Sequence, residues 1–475
     1  MPSFSRSHGV RCRRAHLKPA LAGVLLSAAL SLQAHAGTAP ASYLLTAVAR
    51  TGGPDRSFGV PPDSTITGSR PGINRAGSVV LRFHDTASRA DGLMRFDPRS
   101  GRSTVIHVAP RPDPFGLQPV LSPLVAVSGD VLAVPRVDDP GRIELRSLSG
   151  DLLISRRLAH SGTGPISRVE LSGPHLAISS GDPGSALLAA TTLSAGDVVV
   201  QRLVAAGPDT GIFSLGPAAL LSSGEMVSHA TINAGDALVQ WDDAGVVSRL
   251  IVALDQPGLF AFGPYIDAND RGDIVAPALL FGGQWQLQRF DADGAHETLA
   301  TEGVMNPAQT VITPGTLALW TPSLNEHGHV AFIATDESGP AVYSSRAPGD
   351  LQRVLGFGDQ VIVGEDRVLI GLGHGPERQV TLSDAVLNDD GHIAVVVRLR
   401  DGTSALVIAR PVDPFDCPAD FNADRVVNAD DLGDFINAFF SGDADVRVDF
   451  NRDGSVDADD LGDFINAFFA ADCGI

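Results

Sequence analysis

Leu324-Asn325-Glu326-His327-Gly328-His329-Val330-Ala331 is the stretch whose reading decides the fold. A glycine stands three residues after an asparagine, and an apolar run begins directly behind it. Asparagine and glycine supply the left-handed backbone of a tight turn, and the alternating apolar residues around it read as strands. The phrase recurs at Ile73-Asn74-Arg75-Ala76-Gly77-Ser78-Val79-Val80, at Asn269-Asp270-Arg271-Gly272-Asp273-Ile274-Val275 and at Leu387-Asn388-Asp389-Asp390-Gly391-His392-Ile393-Ala394. Weaker copies keep the glycine and the apolar run at Gly129, Gly173 and Gly224. The seven glycines lie about 52 residues apart on average, with individual spacings from 44 to 63. Six of them are followed 21 to 24 residues later by a second turn glycine: Gly101, Gly150, Gly196, Gly245, Gly294 and Gly349.

Helical periodicity is nearly absent between residues 40 and 410, so each unit reads as a small antiparallel sheet of three or four strands. Seven such units predict a mainly β fold, a seven-bladed β-propeller over residues 41–411. The seventh unit stops at Arg410 after about two strands. Ahead of the first unit, Tyr43–Arg50 and Asp63–Gly68 read as two further strands that complete its blade and leave no open sheet edge. An open β-solenoid or a pair of sandwiches is the competing arrangement. The units resemble a family of bacterial tandem repeats with an Asn-x-x-Gly-x-x-x-Phe signature, found in exported proteins with varied C-terminal anchors. Leu324–Phe332 is the full match and Gly77–Phe83 a looser one. The resemblance implies export and no particular activity.

Residues 1–36 carry the same implication. Arg6, Arg11, Arg13, Arg14 and Lys18 precede an apolar run from Ala20 to Leu32, and Ala34-His35-Ala36 offers a small-x-small cleavage site. That pattern predicts a signal peptide over 1–36 and a mature chain, secreted or held at the cell surface, that begins near Gly37. The segment from Arg13 to Lys18 also resembles a twin-arginine signal, with His16 where phenylalanine is usual. The apolar run is too short to span a bilayer, and nothing later in the sequence is long enough either.

The chain has 35 basic and 55 acidic residues. Loss of residues 1–36 removes five basic ones and leaves 30 against 55, a net charge of −25. Lys18 is the only lysine, so phosphate-loop and Schiff-base lysine chemistry is excluded from the mature chain. A surface this acidic repels a phosphate backbone, which excludes nucleic acid as a partner. Of three cysteines, Cys12 leaves with the signal; Cys417 and Cys473 then read as one disulfide in an oxidising compartment.

Within the repeats no Gly-x-Ser-x-Gly elbow, His-Glu-x-x-His pair or nucleotide loop occurs. His327, His329 and His392 follow turn positions in consecutive units and form a candidate metal-ligand set, against the simpler reading of solvent-facing turn histidines. Asp267, Asp270 and Asp273 with Asp389 and Asp390 are candidates for the carboxylate pair of a glycosidase, against their ordinary place in turns. Trp241, Trp285 and Trp320 are candidate stacking platforms for sugar rings, or simply blade core.

Past Pro411-Val412-Asp413-Pro414, with a linker at 412–416, the composition changes: residues 416–475 hold fifteen Asp and three Arg, a net of −12. Two loops 29 residues apart place oxygen donors at positions 1, 3, 5, 9 and 12, with a backbone carbonyl at 7. The first is Asp420, Asn422, Asp424, Val426, Asn428 and Asp431; the second is Asp449, Asn451, Asp453, Ser455, Asp457 and Asp460. This spacing surrounds a hard cation with six or seven oxygens and predicts two bound calcium ions. Magnesium, with its stricter octahedral demand, fits less well. Each loop runs into the identical Leu-Gly-Asp-Phe-Ile-Asn-Ala-Phe-Phe, which aligns Leu432, Phe435, Ile436 and Phe439, and again Leu461, Phe464, Ile465 and Phe468, on one helical stripe.

The duplicated loop-plus-helix plan, bracketed by Cys417 and Cys473, resembles the dockerins of bacteria. The resemblance implies a small all-α module over 417–475 with two calcium loops and a protein partner, cohesin-like or a cell-surface component, engaged through the helix faces. Ala429-Asp430 and Ala458-Asp459 match its recognition positions. Arg425 departs from the glycine expected at position 6 of the first loop, where Gly454 stands in the second. Two functions then compete: a binding or structural domain, its ligand a carbohydrate or a protein, tethered by the module; or a polysaccharide-degrading enzyme, a glycoside hydrolase or lyase, with its active site in the propeller.

Overall fold

The computed structural model describes residues 42–475 except 53–56, 67–69, 99, 111–120, 123, 140–141, 158–165, 181–186, 195–196, 207–210, 243–245, 365, 372–381, 413–418, 420, 422–426, 428, 442–447, 449, 451–454 and 471–475. The expected signal peptide at 1–36 lies outside them. Among the described residues no helix is long and apolar enough to cross a membrane.

Among the described residues up to Val412 the regular structure is β apart from one short 3-10 turn at Ala253–Asp255, and it is arranged as a β-propeller. Six blades are wound from strands consecutive in the chain, at residues 64–110, 126–157, 166–205, 212–252, 259–301 and 323–356. Their middle strands are buried nearly throughout, as in Val330–Asp336 and Ile274–Leu280, because both faces of a blade pack on neighbours. Each blade touches the next through its inner strand, and the ring returns to the first blade.

The expectation of seven equivalent blades is corrected here. The seventh unit owns three strands, Val386–Leu387, Ile393–Arg398 and Ser404–Val412, and its chain then leaves for the linker. Its sheet is a composite. Ser42–Arg50 pairs antiparallel along Ser404–Val412, from Ser42 opposite Val412 to Arg50 opposite Ala405. The hairpin Gln360–Val363 and Asp366–Leu369 adds two more strands, the first lying parallel to Ser42–Arg50. The first of the two strands expected to close the ring does so. The second, narrowed to Ser64–Thr65, pairs instead with His84 and Asp85 of blade 1. Val48 and Ala49 pack with Leu81 and Phe83 of blade 1 and with Val396 and Ile408 of the closing sheet, so the joint is apolar.

The repeated phrase is the turn between the first and second strand of its unit. All seven glycines, 77, 129, 173, 224, 272, 328 and 391, have φ between 53° and 85°, the left-handed region that a side chain resists. At each strong copy the glycine N–H donates to the asparagine carbonyl three residues back. The asparagine side chain does two further things. Its Oδ1 accepts the backbone N–H four residues on: Ser78 at 2.8 Å, Asp273 at 3.0 Å, His329 at 2.9 Å and His392 at 2.9 Å. Its Nδ2 reaches the next blade, Asn74 to the Gly129 carbonyl at 2.9 Å, Asn269 to that of Asn325 at 3.0 Å, and Asn325 to that of Asn388 at 3.0 Å. Asn388, at the closing joint, has no partner for its Nδ2 among the described residues.

These four asparagines are 2–6% exposed, so each amide group left unpaired carries its full desolvation cost. Asn325→Ala strands the Asn388 carbonyl and the N–H groups of His327 and His329, and should cost about 2–4 kcal/mol. Asn388→Ala loses only the bond from the His392 N–H and should cost about 1 kcal/mol. Urea unfolding followed by tryptophan emission measures both, because all three tryptophans lie in the propeller. Equal costs would show that the bridge between blades adds nothing.

Candidate functional site

The inner strands of all seven sheets line one central cavity of about 210 Å3, with at least one apolar residue from each, Ile73 through Leu387. The charged network along it, Arg70, Arg168, Glu170 and Asp267 of the lining with Asp384 behind Arg70, comes from alternating positions on or just ahead of those strands. Counted back from the turn glycine of each unit, Arg70 and Asp384 stand at the seventh position, Arg168 and Asp267 at the fifth, and Glu170 at the third. Alternate strand residues share a face, which is why these side chains meet in the channel.

Arg168, 3% exposed, is the hub. Its Nε donates to Glu170 at 2.6 Å, its Nη2 to Asp267 Oδ1 at 3.1 Å and its Nη1 to the Ile266 carbonyl at 2.7 Å. Arg70 lies 3.8 Å from Glu170 and 3.9 Å from Asp384. Burial pushes the Asp267 carboxyl above its ordinary range, and Arg168 offsets only part of that. Its second oxygen accepts the Leu324 N–H at 2.8 Å, so Asp267 is engaged at both oxygens within the fold.

At the mouth, the residue after each repeat asparagine continues the ring. Asp270 accepts the Ser222 N–H at 2.6 Å, Glu326 accepts the Asp270 N–H at 3.1 Å, and Asp389 accepts the Glu326 N–H at 3.1 Å. Arg75 carries this series across the closing joint, 2.5 Å from Asp389. Burial and the neighbouring Asp270 and Asp389 raise the Glu326 carboxyl above its usual range.

The aspartates expected as a glycosidase pair are therefore distributed. Asp267 is in the channel, Asp270 and Asp389 form the mouth, and Asp273 is held by Arg271 at 2.6 Å and by Asn269 at 3.1 Å. Asp390 acts electrostatically on His392. The three histidines do not converge. His327 and His329 stand 6.1 Å apart within blade 6, and His392 lines a groove on the closing sheet. Among the described residues no group of three His, Cys, Asp or Glu side chains is placed to hold a metal. Trp241 is 2% exposed in blade core; Trp285 and Trp320 pack half-buried against core clusters, so the platform reading gives way to packing.

In the C-terminal segment two helices of identical length form, α1 Ala429–Ser441 and α2 Ala458–Ala470. They pack face to face through Phe435 and Phe464, both wholly buried and stacked at 3.9 Å with planes 1° apart. Leu432, Phe439, Leu461 and Phe468 surround this pair, while Ile436 and Ile465 are half-buried outside the cluster. Asp457 caps α2 by accepting the Asp459 N–H at 2.9 Å, and Asp460 accepts the Asp457 N–H at 2.9 Å in return.

Asp431 and Asp460, the twelfth residues of the two loops, are wholly buried. Ser455 and Asp457 are described and exposed; Asp420, Asn422, Asp424, Val426, Asn428, Asp449, Asn451 and Asp453 lie outside the described residues, as do Cys417 and Cys473. The donor set is all oxygen, as a hard cation requires. Ala429, Asp430, Ala458 and Asp459 are exposed at the two helix starts.

No protein-family model matches the chain, and no curated protein matches it. Solved structures resemble it weakly. The β-propeller domain of the Trilobed protease from Pyrococcus furiosus is 9% identical, with a TM-score of 0.44 over 73% of this chain and 94% of that one. The WD40 domain of Toxoplasma gondii coronin is 11% identical, with a TM-score of 0.42 over 78% and 86%. TolB from Acinetobacter baumannii is 16% identical, with a TM-score of 0.37 over 58% of this chain and 63% of TolB.

Three half-buried histidines make propeller stability depend on pH. Desolvation, helped by Arg346, pushes His329 down from 6.5 to about 4, and burial lowers His107 and His392 as well. Unfolded, these rings take up a proton near pH 6.5; folded, they resist. Stability should therefore fall as pH drops from about 6.5 towards 4, above the range where carboxylates such as Asp336 and Asp401, held below 3.8, begin to contribute. Tryptophan-monitored unfolding at steps across that range checks it, and His329→Gln should flatten the slope. A slope unchanged in the variant would remove His329 from the account.

Proposed function

We propose that the chain is an exported, non-catalytic binding or structural protein. Its C-terminal module, once calcium fills both loops, attaches it to an extracellular or cell-surface assembly. The carrying observation is the duplicated module: two loops in register in sequence, each leading into one of two stacked helices, with Asp431 and Asp460 equivalently buried. In this reading the composite sheet is the seventh blade, the propeller displays the ligand surface, and a cohesin-like partner docks on the helix starts. Support for a non-catalytic channel comes from Asp267, Glu170 and Arg168, which are engaged with one another.

Without a cation the clustered carboxylates repel, and a core of four buried apolar side chains and a few half-buried ones is too small to overcome both repulsion and chain entropy. Binding free energy is then folding free energy. EDTA should abolish the α-helical circular dichroism of the full chain while leaving tryptophan emission unchanged, and calcium should restore it. Calorimetry should count two sites. Arg425 at position 6 of the first loop weakens that site, since a side chain forced into the left-handed region costs on the order of 1 kcal/mol. Arg425→Gly should tighten it, and Asp460→Ala should abolish the other. Helices indifferent to chelator would sink the proposal.

The module's two-fold repetition also predicts how it docks. Asp430→Ala alone should leave partner affinity nearly intact, and Asp430→Ala with Asp459→Ala should lose it. A pull-down from the native cell envelope with each variant reads this. Loss on the single change would exclude two equivalent orientations.

A further inference from the structure

A cavity larger than the channel lies elsewhere in the propeller. Between the closing sheet and blade 1 runs a groove of about 650 Å3, within the roughly 300–1,000 Å3 of small-ligand clefts. Alternation builds its two walls. Thr46 and Val48 share a face of one strand, Ile408 and Arg410 a face of the next, and across the gap Arg102 and Thr104 share a face of the outer strand of blade 1. Phe58 and Phe96, both half-buried, supply aromatic surface.

The charge of this groove is opposite to that of the chain. None of its sixteen lining residues is acidic, in a protein with 55 acidic residues. Arg102 and Arg410 are both exposed, and neither has a carboxylate partner among the described residues. His392 lies beside Arg410; burial and that arginine keep its ring neutral, so it offers a hydrogen bond and no charge. At the inner end, a side chain built on Gly77 would stand 3.7 Å from both His392 Nδ1 and Asn388 Nδ2. The latter is the buried amide nitrogen that lacks a partner where its counterparts reach the next blade. The polar side chains that the lining leaves unengaged are two guanidinium groups, the His392 ring and the hydroxyls of Thr46 and Thr104, with no carboxylate among them.

We propose that this groove binds an acidic sugar, a hexuronate unit of a polysaccharide, with its carboxylate at Arg102 and Arg410. Three features select that class together. Guanidinium groups recognise a carboxylate by charge-assisted bonds. Hydroxyl side chains beside them match a hydroxylated ring better than an aromatic acid. The aromatic surface of Phe58 and Phe96 suits the apolar face of a pyranose. The site uses none of the channel residues and none of the calcium loops, so it stands whether or not the module docks.

The test is calorimetry on the full chain, at one fixed calcium concentration, with three probes: trigalacturonate, its methyl ester, and benzoate. Trigalacturonate should bind with 1:1 stoichiometry and about tenfold or more tighter than the ester, which keeps the rings and loses the charge. Arg102→Gln and Arg410→Gln should each weaken it about tenfold, with the tryptophan-monitored unfolding transition unmoved. Asp460→Ala should leave it unchanged, which separates this site from the module. Equal binding of acid and ester, full affinity in both arginine variants, or no binding at millimolar concentration would each overturn the site. Benzoate binding as tightly as the trisaccharide would overturn the sugar.

Discussion

A buried primary amide has two donors and an acceptor to place, and the fold of this propeller follows from where four asparagines place theirs. Oδ1 is used locally, closing the turn onto the backbone N–H four residues on; at Asn74, Asn269 and Asn325, Nδ2 is used remotely, on the carbonyl of the adjoining blade. The same side chain thus sets the turn and the lateral spacing of sheets. Glycine three residues later is the second requirement, because only it accepts the left-handed backbone at no cost. The apolar strands behind each turn supply most of the burial, and the three bridges fix the lateral register of the joints they span.

That division explains what could be read in advance. The turn phrase is local, so its copies were visible at 77, 272, 328 and 391, and the β class with them. The role of Ser42–Arg50 was readable because the last unit lacked a strand. The assignment of Ser64–Thr65 failed because two residues carry no pattern that says which sheet they join. The composite nature of the closing sheet failed for a related reason: Gln360–Val363 and Asp366–Leu369 carry no turn phrase of the repeat.

The channel was missed although its signal was present. Histidines and aspartates near the turns attracted notice as chemical side chains, yet the network is built from Arg168, Asp267, Arg70, Asp384 and Glu170. These are conspicuous only when the units are superposed on their glycines and read at alternate positions. Apart from Arg168 and Glu170, which neighbour each other on one strand, the partners come from different units, and Arg70 and Asp384 are brought together by ring closure. In the C-terminal module the reverse holds. Loop spacing and helix stripe are both short-range, so the stacked Phe435 and Phe464 were foreseen as part of the stripe, while the half-buried state of Ile436 and Ile465 reflects a two-helix contact too narrow to cover a whole stripe.

The pairing of Ser42–Arg50 with Ser404–Val412 has a consequence for how the molecule comes into being. A ribosome delivers these partners in order, and more than 350 residues separate Arg50 from Thr403 and Ser404, with which Arg50 and its neighbour Thr51 bond. The earliest strand of the propeller must stay unpaired, or be held by something else, through the making of every blade between. Loop closure over such a distance is slow, and an unsatisfied edge is sticky while it waits. The chain is therefore most exposed to misassembly in its nearly finished state, and a helper that shields one strand near the N-terminus would do more for yield than any stabilisation of the blades.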